Sequence, residues 1–161
     1  MQPEDILTTM AELGVAVTGF SGIVLVLRER GRGASPADRY LLSSLLSASA
    51  GLVLWALVPL LLLSAHVSER TTWMASSAGW SIHQIIGVFL RIHQTRRFPD
   101  QSPGLWFLVP VPLAGLSALA LQVANVGWLA TAWPHLVGLT WWLVYVFVMF
   151  LRLMLVTGDD E

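Results

Sequence analysis

Hydrophobic and polar positions alternate along the chain in long blocks rather than with the short period of strands. Apolar runs cover Ile6–Leu27, Leu41–Ala65, Trp73–Leu90, Leu105–Ala132 and Leu136–Val156. Each is about 18 residues or longer, the length at which an α-helix crosses roughly 30 Å of hydrocarbon. The pattern predicts an all-α integral membrane protein, a five-helix transmembrane bundle in which residues 1–161 form a single domain. The breaks carry helix-starting signals. Ser35-Pro36-Ala37-Asp38 places an N-cap, a first-turn proline and an acid in order, and Ser102-Pro103 and Pro134 repeat the proline device. The fourth run would measure about 42 Å as ideal helix, longer than the hydrocarbon is thick, so a kink is expected at Pro110 and Pro112.

Charge turns these runs into a topology. With the N-terminus outside, Arg28, Arg30, Arg32 and Arg39 flank the first internal loop, Arg91, Arg96 and Arg97 the second, and Arg152 the inner end of the last helix. Only Arg70 lies outside, an eight-to-one positive-inside bias. The third run is the least apolar, carrying Ser76, Ser77, His83 and Gln84; were it not to span, the count would become four inside against five outside. An N-out, C-in protein follows. Arg28, Arg30, Arg32, Arg91 and Arg152 are expected at lipid headgroups. Glu4 and Asp5 give the first run an acidic flank where a secretory signal carries a basic one, so that run is expected to be retained as a helix.

Composition then removes whole classes of function. Hydrophobic residues make up 55% of the chain and charged residues 12%, which leaves no room for a soluble domain beside the helices. A net charge of −1 offers nucleic acid no basic surface. Cysteine is absent, and with it disulfides, thiolate metal sites and cysteine nucleophiles. Lysine is absent too, which excludes a retinal Schiff base.

What remains is a handful of polar groups at membrane depth, where each is costly. Counted from the outer helix ends at about 1.5 Å per residue, Glu12 lies ~9 Å deep, Trp80 and Asn125 ~10 Å, and His83 and Gln122 ~15 Å. The depths predict one polar cluster in the outer half of the bundle. Glu12, His83, Gln122 and Asn125 form its ion or proton site, with Trp80 and Ser76 as partners. Burial raises a carboxyl pKa toward neutrality, and a neutral imidazole relays protons, so this set suits proton or small-cation movement. No metal site or cofactor is expected. His66 and His135 match in depth as haem ligands would, but no second pair repeats them.

Small residues recur at helical spacing: Gly14, Thr18 and Gly22; Ser43, Ser47 and Gly51; Ala75, Gly79, His83 and Gly87; Ala114, Ala118 and Gln122. In lipid such stripes let backbones approach, and helix packing is their simplest reading. The fifth run is crowded by Trp141, Trp142, Tyr145, Phe147 and Phe150 and is expected at the periphery.

Two resemblances add to this. Gly19-Phe20-Ser21-Gly22 resembles the Gly-x-Ser-Gly of rhomboid intramembrane proteases, with His83 in the place of a general base. Ser21 falls about 7 Å deeper than His83 and inside a helix, so packing is the better account of the glycines. The phrase Glu12-Leu-Gly-Val-Ala-Val-Thr-Gly-Phe-Ser-Gly-Ile-Val, followed by an arginine-rich loop, resembles a family of small bacterial multi-pass inner-membrane proteins. The likeness is strongest over about the first 40 residues; the family carries no established activity, so it implies membrane class and nothing more. The leading functional expectation is a homo-oligomeric channel or carrier for protons or small cations. The alternatives are a non-catalytic scaffold or accessory subunit bound to another membrane protein, and a haem- or quinone-binding redox subunit.

Overall fold

The structure, a computed structural model, describes residues 2–31, 36–97 and 110–155, with backbone alone at 25, 27–31, 36–41, 91–92, 94–97, 110–112, 152–153 and 155. All regular structure among these residues is helical: α1 (Pro3–Gly31), α2 (Pro36–Ser64), α3 (Glu69–Arg97), α4 (Pro110–Ala124), a π-helical turn (Asn125–Leu129) and α5 (Ala132–Leu155).

Local chemistry sets the ends. Pro3 occupies the first position of α1, and the Asp5 carboxylate accepts the Gln2 backbone N–H at 3.0 Å, half of a capping box. Two reversed hydrogen bonds close α2, from His66 N–H to Leu63 C=O (2.9 Å) and from Val67 N–H to Leu62 C=O (3.1 Å). That is a Schellman motif, and it places His66 in the left-handed region at φ 60°. Ser68 then caps α3 by accepting the Thr71 N–H at 3.3 Å.

Three helices are long and apolar enough to cross a membrane, through Pro3–Val24, Leu42–Ser64 and Ala132–Leu151. Leu113–Leu129 is apolar but shorter. α3 has the length, at 29 residues, yet its serines, His83, Gln84 and terminal arginines lower its apolarity. α1 and α3 overrun their apolar runs at both ends, and α2 and α5 at their N-terminal ends. Nothing is described before Pro110 on α4, so the expected kink at Pro110 and Pro112 lies outside the described residues, as do Ser102, Pro103 and the first residues of the fourth run.

The described residues fall into two compact units. One takes in those of Met1–Leu57 and Trp142–Glu161, the other those of Val58–Trp141. In the first unit α1 packs on α2 through Gly14, where a Cβ would stand 2.7 Å from Val53 Cγ2 and 3.3 Å from the Ser49 carbonyl. Leu7, Leu45, Leu52, Ala56 and Val146 complete a core shielded from the surface. Buried hydroxyls bond back to their own helix, Ser21 to the Val17 carbonyl and Ser49 to the Leu45 carbonyl, which satisfies them where no water competes. α5 is not peripheral here, contrary to the expectation from its aromatic crowding. Trp142, Tyr145 and Met149 are buried, and the Trp142 indole N–H donates to the Ala48 carbonyl at 2.7 Å. Trp142 and Tyr145 are core material, Trp141 and Phe150 are half-buried, and Phe147 is exposed.

Candidate functional site

The second unit holds most of the buried polarity. α3 turns one face inward, Thr72, Trp73, Ser76, Ser77, Trp80 and Ser81, all buried. Positions spaced by three and four lie on one side of a helix, so this face is a continuous stripe two residues wide. It differs from the small-residue stripe expected on the same helix. Ala75 is exposed, and a Cβ on Gly87 would meet nothing within 4 Å. The inward face lies about 100° around the helix from the expected one.

Facing the stripe is the junction of α4 and α5. The π-helical turn closes with the Ala130 N–H on the Asn125 carbonyl at 2.9 Å, and Ala130 takes the left-handed conformation (φ 48°, ψ 46°). A non-glycine residue in that region needs neighbours to hold it there, and Asn125 is the neighbour. Its Oδ1 accepts the Thr131 N–H at 3.0 Å, while its Nδ2 donates to the Thr131 carbonyl at 3.1 Å and to Ser77 Oγ at 2.8 Å. One amide thus pairs both peptide groups of Thr131 and ties the junction to α3. One turn earlier, Gln122 donates through Nε2 to the Pro134 carbonyl. Both amides are fully buried.

His135 is buried at 1% exposure, its ring 6.3 Å from that of Trp73 and tilted by 46°. Thr72 Oγ1, Ser76 Oγ and Gln122 Oε1 are enclosed with no hydrogen-bond partner among the described residues. The unit therefore contains a polar interior of amides, hydroxyls, an imidazole and indoles. Among the described residues no group of three or more His, Cys, Asp and Glu side chains is placed to hold a metal ion.

Four of the expected site residues meet in this unit: Ser76, Trp80, Gln122 and Asn125. His83, also on α3, is only half-buried. Glu12 belongs to the first unit and is exposed on α1, outside the enclosed polar set. Ser21, the serine of the protease-like phrase, is likewise in the first unit, with its hydroxyl committed to a helix carbonyl. His66 is exposed at the end of α2 and His135 is enclosed, so the depth-matched histidines have opposite surroundings. Arg32 and the side chains of Arg28, Arg30, Arg91 and Arg152 lie outside the described residues. Trp128 and Trp133 are exposed beside the junction, where a membrane-interface indole would sit, whereas Trp73 is buried.

The residues not anticipated are Ser77, Thr131, Pro134, His135 and Gly138. Gly138 makes the Gln122 contact possible, for a Cβ there would fall 2.6 Å from Gln122 Nε2 and 3.5 Å from Trp80 Cη2. Gly138→Ala is expected to push the amide off the Pro134 carbonyl and destabilise the protein by about 1–3 kcal/mol. Adding Gln122→Ala should recover part of that loss. A double-mutant cycle of detergent-solubilised protein, unfolded in SDS, measures the coupling; additive losses would show that the two side chains do not compete for the space.

No family model, no curated protein and no solved structure matches the chain.

Proposed function

We propose that the protein is a multi-pass inner-membrane protein with five spans, N-terminus outside, acting as a non-catalytic scaffold or accessory subunit that assembles through α1. The eight-to-one distribution of arginines supports the orientation. Five spans include α3, whose polar residues pack inward and whose exposed face carries Ile82, Ile85, Ile86 and Phe89. The observation that carries the assembly reading is the placement of Glu12. Counted from Pro3 it is the tenth residue of the 22-residue candidate span, and it is exposed. An ionisable group inside a span ordinarily faces protein. The other deep polar residues have work inside the second unit: Gln122 and Asn125 bind backbone carbonyls and Ser77, which supports a structural role for them.

A second reading, a homo-oligomeric channel or carrier for protons or small cations, draws on the same carboxylate. Copies assembled around an exposed mid-span Glu12 would enclose it between them. The two readings separate in reconstituted vesicles. The scaffold reading expects no proton or cation flux above that of empty vesicles under a pH gradient or voltage. Flux in wild type that disappears in Glu12→Gln would overturn it in favour of permeation.

A further inference from the structure

Hydroxyls inside the helices commonly bond back to their own turn. Ser21, Ser49, Ser81 and Thr140, among others, each donate to the carbonyl four residues earlier. Thr72 and Ser76 do not. Both are fully buried on the inward face of α3, and neither hydroxyl has a partner among the described residues. Gln122 Oε1 is a third enclosed oxygen in the same position, and as a pure acceptor it cannot turn to a carbonyl for relief. Nor can the amide simply rotate. Its Nε2 end faces the Pro134 carbonyl, which only a donor can do, so the oxygen is the end left to the interior.

The three oxygens belong to one place. The Gln122 head lies between Pro134, whose carbonyl it bonds, and Gly138, where a Cβ would fall 2.6 Å from Nε2. Ser76 faces the same stretch of α5. Its neighbours three residues before and four after, Trp73 and Trp80, share its side of α3. The Trp73 ring is 6.3 Å from that of His135, and Trp80 Cη2 is 3.5 Å from the Gly138 Cβ position. Thr72 is one turn from Ser76, about 6 Å along the axis, a gap that one water closes with two hydrogen bonds of about 2.8 Å.

We infer that these side chains form a site for an internal water, which donates to Gln122 Oε1 and bonds the Ser76 and Thr72 hydroxyls. About three partners is the usual complement of a buried water. An enclosed carbonyl oxygen needs a donor and an enclosed hydroxyl needs an acceptor; water is the smallest molecule that supplies both. A cation is disfavoured, because the three oxygens are neutral and no carboxylate with a described side chain is buried to balance its charge. The water has a structural consequence. Asn125 reaches Ser77 directly, and Gln122, one turn earlier on α4, reaches the adjacent Ser76 through the water. The α4–α5 junction is thereby fastened to α3 at two levels.

Pulsed hydroxyl-radical labelling of the full chain in lipid nanodiscs tests the site, because radicals made from a bound water oxidise the side chains beside it. Trp80, 1% exposed and one turn from Ser76, is the reporter. Trp142, 8% exposed with its N–H on the Ala48 carbonyl, is the reference for a buried indole away from the site. Radicals from bulk solvent would favour Trp142, yet Trp80 is expected to be oxidised severalfold faster. Ser76→Val, Thr72→Val and Gln122→Met each remove one of the water's partners, and each should bring Trp80 down toward the Trp142 level. An unchanged rate at Trp142 shows that a variant is folded; in one that unfolds, both indoles rise, and the other two variants decide. Trp80 oxidised no faster than Trp142 in wild type would mean a dry interior, with Thr72 and Ser76 bonded to their own helix. Fast oxidation of Trp80 in wild type and in the folded variants alike would put the water elsewhere. Either result overturns the site.

Discussion

Replacing Asn125 by alanine is expected to lower the free energy of unfolding by about 2–3 kcal/mol. Three hydrogen bonds converge on this one amide, from and to Thr131 and to Ser77. Each is worth about 0.5–1.5 kcal/mol net in water-soluble proteins, and about 0.6 kcal/mol on average between membrane helices. The sum is raised because alanine leaves the Thr131 N–H without the side-chain acceptor it has at the start of α5. Ala130 would also lose what keeps it left-handed. Asn125→Asp makes the sharper comparison. It can still accept the Thr131 N–H but cannot donate to the Thr131 carbonyl or Ser77, and it brings a carboxylate into a fully buried position. A loss at least as large as that of alanine is expected, read from SDS-driven unfolding followed by tryptophan fluorescence. A change below about 0.5 kcal/mol in either variant, the range of an ordinary surface substitution, would mean that Asn125 does not hold the junction.

Long apolarity made three of the spans legible, because hydropathy at helix length depends on composition and not on partners. Helix faces were less so. On α3 the glycines at 79 and 87 suggest a close-packed stripe, yet the buried face uses the small residues Ser76, Ser77 and Ser81, and the Ser77 and Ser81 hydroxyls bond in place. Glycine at helical spacing marks where a backbone can come close, and not where one does. The α4–α5 boundary failed for a related reason. Pro134 signals the start of a helix, but a proline is tolerated throughout the first turn, and α5 begins two residues before it at Ala132. What ends the preceding helix is the Asn125–Thr131 pairing, a contact between residues six apart that no local turn signal announces.

The candidate site shows the same division. Gln122 and Asn125 stood out as deep amides three apart on one helix, and they do share a buried face. Their partners are a loop peptide, a proline carbonyl and a serine on another helix, which depth counting cannot identify. Depth alone groups Glu12 with them, since all lie in the outer half of the bundle. Depth fixes only one of three coordinates, and rotation about the α1 axis decides the rest: Gly14, two residues on, faces α2 while Glu12 faces outward. The carboxylate most in need of a partner is thereby moved from the interior of the fold to its surface. That is why assembly, rather than an internal pathway, is the reading it favours.

The same rotation leaves Gly14 little room for a side chain. Gly14→Leu is expected to destabilise the protein by about 3 kcal/mol, and Gly14→Ala by about 1–3 kcal/mol. Even the alanine Cβ would lie 2.7 Å from Val53 Cγ2, and valine is stiff at χ1, so that methyl cannot swing aside cheaply. The Ser49 carbonyl at 3.3 Å is backbone and moves only if α2 moves. Val53→Ala removes the nearer obstacle but leaves the farther one, so in the Gly14→Ala background it should restore part of the loss and never all of it. In the Gly14→Leu background it should restore little, because the added carbons extend past Val53 toward Leu52. Gly87→Ala serves as the control, since its Cβ meets nothing within 4 Å and exchanging glycine for alanine inside a helix is favourable by about 1 kcal/mol. Stability equal to wild type in Gly14→Leu would place α1 away from α2, and with it would go the outward orientation of Glu12 on which the assembly reading depends.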